Sequence, residues 1–310
     1  MQIKARETLL KRDENMLVLE VLKAYNGAVA AKYFISALHK ALEATKSHVE
    51  LSTNFFHEGI VTNIDVLQAK DMEANVNAKL IEAKNRYNLA IAYLKFLLQD
   101  ESIDGVDEFN TLNCSVGKLE ELKNMAIKNR TDLEWVKLNE KSSQKMVDME
   151  KSSNYPIIGL NAKYGFNDDK PTLSSDKDYY MVGVGLKYTV FDGGFSKAKI
   201  DQAKISHKQA TLQRENLESF IKFEVEKNFR DLEAKKEILV EKIKSKELAE
   251  EILEKHQLMY KNSIINMTEL LLKEADAQKA RAEYIEAKYD EMIANANLAI
   301  SLGYKMKEKR

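Results

Sequence analysis

Strict alternation of apolar and polar side chains is confined to one short stretch, Pro156 to Gly194. Its first arm sets Leu160, Ala162, Tyr164 and Phe166 against Gly159, Asn161, Lys163 and Gly165. Its second arm sets Tyr180, Val182, Val184, Leu186, Tyr188 and Val190 against Met181, Gly183, Gly185, Lys187 and Thr189, and ends at Phe191-Asp192-Gly193-Gly194. Successive strand residues point to opposite faces, so each arm predicts a strand with one oily side. Two environments fit such a hairpin. Its apolar face could meet lipid, as in a transmembrane barrel wall, or it could pack on helices in a soluble protein.

Outside that stretch the chain predicts long helices. Both prolines, and six of the eleven glycines, fall within residues 156–194, which leaves the flanks nearly free of helix breakers. Those flanks are rich in Ala, Glu, Lys and Leu, as long helices are. Helix is expected over Ile3 to Asn54, a break at Phe55 to Thr62, and a returning helix over Asn63 to Leu98. Gly59 suits a left-handed helix cap, and Thr62 or Asn63 can cap the next helix. After the hairpin the plan recurs: helix from Phe195 to Met259, a turn at Tyr260 to Ile265, and helix from Asn266 to Leu302, with Asn262, Asn266 or Thr268 as capping candidates. A helix of 65 residues would reach roughly 100 Å. Gln99 to Val116 predicts an irregular collar, and Gly117 to Ser152 one further helix with Leu119, Leu122, Met125, Ala126, Leu133, Val136 and Leu138 on a face. The expected parts are therefore 1–98, 99–116, 117–155, 156–194, 195–303 and a tail over 304–310.

The two helical hairpins read as copies of one another. An offset of 204 residues aligns Glu20-Val21 with Glu224-Val225, Phe56 with Tyr260, Ile60 with Ile264, and Asp65 with Glu269. It also places Ile81-Glu82-Ala83-Lys84 on Ile285-Glu286-Ala287-Lys288. No gap is needed over about 75 residues, which argues for duplication. The second copy follows directly on a β-hairpin, whereas the first starts at Met1, level with residue 205. The expectation is of a longer form with a signal peptide, one more helix and a first hairpin upstream.

Charge and chemistry narrow the field. The 48 basic and 49 acidic residues leave a net charge of -1, with the signs interspersed, so no basic face for nucleic acid emerges. No run of 18 apolar residues offers a transmembrane helix, so a membrane role would rest on the hairpin. Cys114 is alone, which excludes a disulfide framework within one chain. His39, His48, His57, His207 and His256 are scattered without ligand spacing, and no glycine loop is built to cradle phosphate. No catalytic residue, metal site or cofactor is expected.

Two motifs carry a resemblance. The order helix, Tyr155-Pro156-Ile157-Ile158-Gly159-Leu160, a second strand ending Tyr188-Thr189-Val190-Phe191-Asp192-Gly193-Gly194, then a very long helix, resembles the TolC-like outer-membrane efflux proteins. So does the turn Phe56-His57-Glu58-Gly59-Ile60-Val61-Thr62-Asn63-Ile64-Asp65-Val66-Leu67. The resemblance implies a mainly α fold, with helical hairpins forming a periplasmic α-barrel and the strands contributing to a transmembrane β-barrel. It implies a homotrimer in the outer membrane, with its helices projecting into the periplasm. There it would serve a periplasmic adaptor and an inner-membrane transporter as a passive export conduit. On this reading Leu160, Ala162, Tyr164, Phe166, Tyr180, Val182, Val184, Leu186, Tyr188 and Val190 face lipid. Gly59, Ile60, Val61, Thr62, Ser263 and Ile264 form tips that meet the adaptor, and Asp65, Tyr260 and Glu269 stand at gate positions. Ser263 stands where the family usually has glycine, Ile265 where an arginine can occur, and Leu272 where a second aspartate can occur. A periplasmic coiled-coil adaptor or a structural scaffold is the alternative.

Overall fold

The computed structural model describes residues 2–109, 117–166 and 178–303. Cys114, Pro171 and the 304–310 tail lie outside the described residues. The elements run α1 (Gln2–His57), α2 (Asn63–Leu98), α3 (Leu119–Asn129), α4 (Thr131–Lys151), a single 3-10 turn (Ser152–Asn154), β1 (Ile157–Phe166), β2 (Asp178–Lys187), α5 (Phe195–Lys261) and α6 (Met267–Ser301). The chain is mainly α with one two-stranded antiparallel sheet. No described helix is long and apolar enough to cross a membrane.

The chain divides into two compact units. One comprises Met1–Leu9 and Asp132–Ser219, the other Leu10–Thr131 and Phe220–Arg310. In the first, α4 buries Leu133, Val136 and Val147, and the first part of α5 buries Ile200, Ala203 and Ala210. Extending these by alternate steps of three and four residues reaches Glu140, Ser143, His207 and Arg214, so polar groups share the apolar seam. They pair across it: Arg214 Nε donates to Glu140 Oε2 at 2.8 Å, and Ser143 Oγ lies 3.1 Å from His207 Nδ1.

The register of the hairpin puts the two apolar sets on one face. Ile158, Leu160, Ala162 and Tyr164 stand opposite Leu186, Val184, Val182 and Tyr180. The other face pairs Gly159 with Gly185, Asn161 with Gly183 and Lys163 with Met181. The strand stops earlier than the alternation suggested: β2 ends at Lys187, which leaves Tyr188 and Val190 past the last pair. The next partner would be Pro156, whose ring nitrogen has no hydrogen to donate to a ladder. Beyond it Gly193 and Gly194 take φ of 65° and 88°, values that favour glycine. Asp192 then accepts from the amides of Gly194 at 3.0 Å and Ser196 at 2.8 Å, capping α5. Hydrogen bonds from Ser196 hold the Asp192 carboxyl below the usual carboxylate range.

In the second unit α1 packs on α2 through small and branched residues. Leu38 and Ala41 meet Val76, Leu80 and Ala83, and Ala28 and Val29 meet Ile91 and Leu94. Ion pairs join α5 to α6: Lys235–Asp290 at 2.7 Å, Lys242–Glu283 at 2.6 Å and Arg281–Glu250 at 2.7 Å. The single helix expected over Gly117 to Ser152 is two. It breaks at Arg130, whose ψ of 124° is extended. Tertiary contacts impose that break, because Arg130 pairs with Glu224 of α5 and Gly303 presses on the Asn129–Arg130 backbone. A Cβ at Gly303 would lie 2.9 Å from the Asn129 carbonyl carbon.

Candidate functional site

The two turns that join α1 to α2 and α5 to α6 have the same backbone. At the first, Gly59 takes φ 74°; its amide donates to Phe56 O at 3.1 Å, and that of Ile60 donates to Phe55 O at 2.8 Å. At the second, Ser263 takes φ 56°; its amide donates to Tyr260 O at 2.9 Å, and that of Ile264 donates to Met259 O at 2.9 Å. Both are left-handed helix caps of the same hydrogen-bond pattern, residue for residue at the 204 offset. Ser263 therefore keeps the glycine-type geometry despite its side chain.

The next caps correspond as well. Thr62 precedes α2 with φ -87° and ψ 162°, and Asn266 precedes α6 with φ -87° and ψ 169°. Their chemistry differs. The amide and hydroxyl of Thr62 both donate to Asp65 Oδ2, at 3.1 and 2.8 Å, so that carboxylate is held by the cap. At α6 the Asn266 side chain accepts from the Glu269 amide at 2.9 Å. The Glu269 carboxylate is exposed and makes no hydrogen bond or ion pair among the described residues. Thr268 ties the copies together by donating to Gln68 of α2 at 3.2 Å.

A cleft of about 460 Å³ between the turns is lined by Asp65, Tyr260 and Glu269 together. All three positions singled out in the sequence thus converge there. Ile60 and Ile264 on its rim are 50% and 65% exposed, a large apolar area for a turn. Tyr260, by contrast, is 1% exposed and packs on the Phe55 ring at 5.9 Å among Leu253, Met267 and Leu270. Its hydroxyl finds no hydrogen-bond partner. Burial, and then the charge of Asp65, push this phenol up to about 12. Two further side chains escaped the sequence reading. His48 and Glu274 are both buried, with Nε2 and Oε2 3.9 Å apart. The available signal was a carboxylate on the buried face of α6, four residues after Leu270 and three before Ala277.

The cleft holds the carboxylates of Asp65 and Glu269, the Tyr260 phenol, the hydroxyls of Thr62 and Ser263 and the Asn266 amide. No cluster able to hold a metal ion occurs among the described residues. It is an end of a helical bundle with polar lining and apolar lips.

Comparison with known proteins gives that description a family. The profile described as Outer membrane efflux protein matches residues 122–304, more than half of the chain. The chain belongs to the outer membrane efflux protein family. Membership assigns it to the outer membrane, and it leaves the adaptor and scaffold alternatives without support. The outer membrane protein TolC of Escherichia coli (strain K12) is 20% identical over 313 residues, covering 96% of this chain. The chain spans 63% of the length of that relative. Among solved structures, the outer-membrane channel OprN superposes with a TM-score of 0.86 at 20% identity, over 97% of this chain and 68% of that one. The outer membrane protein VceC from Vibrio cholerae gives 0.85 at 18% identity, over 98% and 74%. The efflux-family match begins at α3, yet the α1–α2 turn that precedes it carries the same geometry as the α5–α6 turn within it.

Proposed function

We propose that this efflux-family chain is the channel-forming subunit of an export conduit. The observation that carries the reading is the convergence of both turns on one cleft, with Asp65, Tyr260 and Glu269 at its wall. Such a cleft, repeated around a symmetry axis, makes a polar constriction with apolar lips.

The hairpin supports the same reading. Its two outer edges carry unpaired amides and carbonyls, which in lipid would each cost several kcal/mol. Pairing with strands of other copies closes those edges into a barrel, and a homotrimer is the assembly proposed. Leu160, Ala162, Tyr164, Tyr180, Val182, Val184 and Leu186 then face lipid. Tyr188 and Val190, past the ladder and 55% and 85% exposed, sit where an aromatic and apolar rim meets the membrane boundary.

Ile60, Val61, Thr62, Gly59, Ser263 and Ile264 offer the exposed tip surface to a periplasmic adaptor, which joins the conduit to an inner-membrane transporter. That transporter supplies the energy, and the conduit only conducts. Three Glu269 carboxylates around a narrow entrance favour cations over anions. Tyr260, packed on Phe55 of α1, holds the two tips together, and Asp65 fixes the cap of α2 beside it.

Planar-bilayer recording of the purified protein tests this. Discrete conductance with cation preference is expected, and Glu269→Gln should reduce that preference. A folded assembly that never conducts, or a water-soluble monomer without β signal, would overturn the proposal.

A further inference from the structure

The buried pair His48–Glu274 has no part in the channel reading so far. Glu274 is fully buried on α6 and His48 nearly so on α1. Their Nε2 and Oε2 atoms lie 3.9 Å apart, and neither has a hydrogen-bond partner. The other carboxylate oxygen of Glu274 receives only a 3.5 Å bond from Gln278. The buried hydroxyls of α1, Thr45 and Ser52, donate to carbonyls of their own helix, Ala41 and Val49. An ionised carboxylate in such a place needs a cation, and only His48 is within reach.

Other charged groups on the surrounding helices are engaged or turned to water. On α6, Lys273 pairs with Asp276 at 3.0 Å, and Arg281 with Glu250 of α5 at 2.7 Å. On α5, Lys255 pairs with Glu251 at 2.6 Å, and His256 Nδ1 sits 2.8 Å from the Ile252 carbonyl. Lys46 and Glu50 of α1, and Lys70 and Asp71 of α2, are exposed, and Glu73 is half-buried. No second cation competes for Glu274 among the described residues.

We infer that His48 and Glu274 are positioning residues for the entrance, a proton-operated latch between α1 and α6. This inference rests on the channel reading of the tip. Imidazole is the side chain that changes charge between pH 5 and 8. Protonated, it joins Glu274 in a buried ion pair and draws α6 onto α1. Neutral, it leaves the Glu274 carboxyl buried without a charged partner, and the attraction between the helices is lost. Glu274 follows Glu269 by five residues, about 7.5 Å along the helix, so movement of α6 moves the gate carboxylate. The entrance therefore tightens as pH falls.

The test is amide hydrogen exchange of the full chain in its detergent-solubilised assembly, over residues 45–62 and 260–278, from pH 8 to 5.5. After correction for intrinsic exchange, wild-type opening should fall severalfold over this range. His48→Gln alone strands Glu274, and loss of folding would confound its readout. The decisive variant is therefore His48→Gln with Glu274→Gln, which keeps both side chains polar and uncharged. It should fold and show a flat profile. A flat wild type, or a double variant with the wild-type slope, overturns the latch. Bilayer conductance that falls with pH only in the wild type ties the latch to the gate. Conductance that ignores pH while exchange follows it overturns the gating role. A chain that conducts at no pH defeats the channel reading and leaves the latch to stand or fall on exchange.

Discussion

The two tips share a backbone and differ in how they spend their side chains. At the first, glycine occupies the left-handed position, Phe56 is 41% exposed, and Asp65 is bound into its own helix cap. At the second, serine takes the left-handed position, Tyr260 is buried, and Asn266 does the capping, which frees Glu269. The two tips thus share one hydrogen-bonded frame and divide the roles. One tip is the stable frame, and the other carries the strain, the core anchor and the exposed charge.

The strongest way to break the comparison is to truncate the equivalent aromatics. Tyr260→Ala should destabilise the tip by about 3–5 kcal/mol, as large-to-small core changes do, whereas Phe56→Ala should cost less than about 1 kcal/mol. Denaturant unfolding of the solubilised protein measures both. Equal effects would mean that the two copies bury their aromatics alike in the assembly.

A pH titration separates the copies next. The Tyr260 phenol holds its proton in the fold up to about 12, against an ordinary value of 10.0. The unfolded chain ionises first, so tip stability should fall as pH rises from 10 to 12. Tyr260→Phe should lose this dependence and should cost little at neutral pH, since the hydroxyl makes no hydrogen bond. A wild-type slope in that variant would place the alkaline effect elsewhere.

Opposite signs are expected from the turn residues. Ser263→Gly should stabilise by about 1 kcal/mol, and Gly59→Ala should destabilise by a similar amount, because only glycine adopts left-handed φ without penalty. Nothing lies within 4 Å of a Cβ at Gly59, so that cost is a backbone one. Smallest in stability is the carboxylate pair. Asp65→Ala should lose about 1 kcal/mol of capping, while Glu269→Gln should leave unfolding unchanged and alter only ion preference.

What could be read from the chain follows from how local each feature is. The left-handed cap at Gly59, the N-caps and the 204-residue offset depend on a few neighbouring residues. They emerge from sequence with the helix bounds of α2 matching end to end. Asp192-Gly193-Gly194 is legible for the same reason: one cap and two positive φ angles account for it. The break at Arg130 is not legible, because Glu224 and Gly303 impose it from far along the chain. Nor is the pairing of His48 with Glu274, which depends on the relative register of two helices that no local pattern sets.

Pro156 has a consequence beyond ending a strand. By withholding a donor it ends the ladder at the Ile157–Lys187 pair. Ten residues span about 34 Å, and at a barrel tilt near 40° they cover about 26 Å of depth, close to the apolar band of an outer membrane. A single missing hydrogen therefore marks a level. On the proposed channel reading it is the level at which the paired wall ends and Tyr188 and Val190 begin.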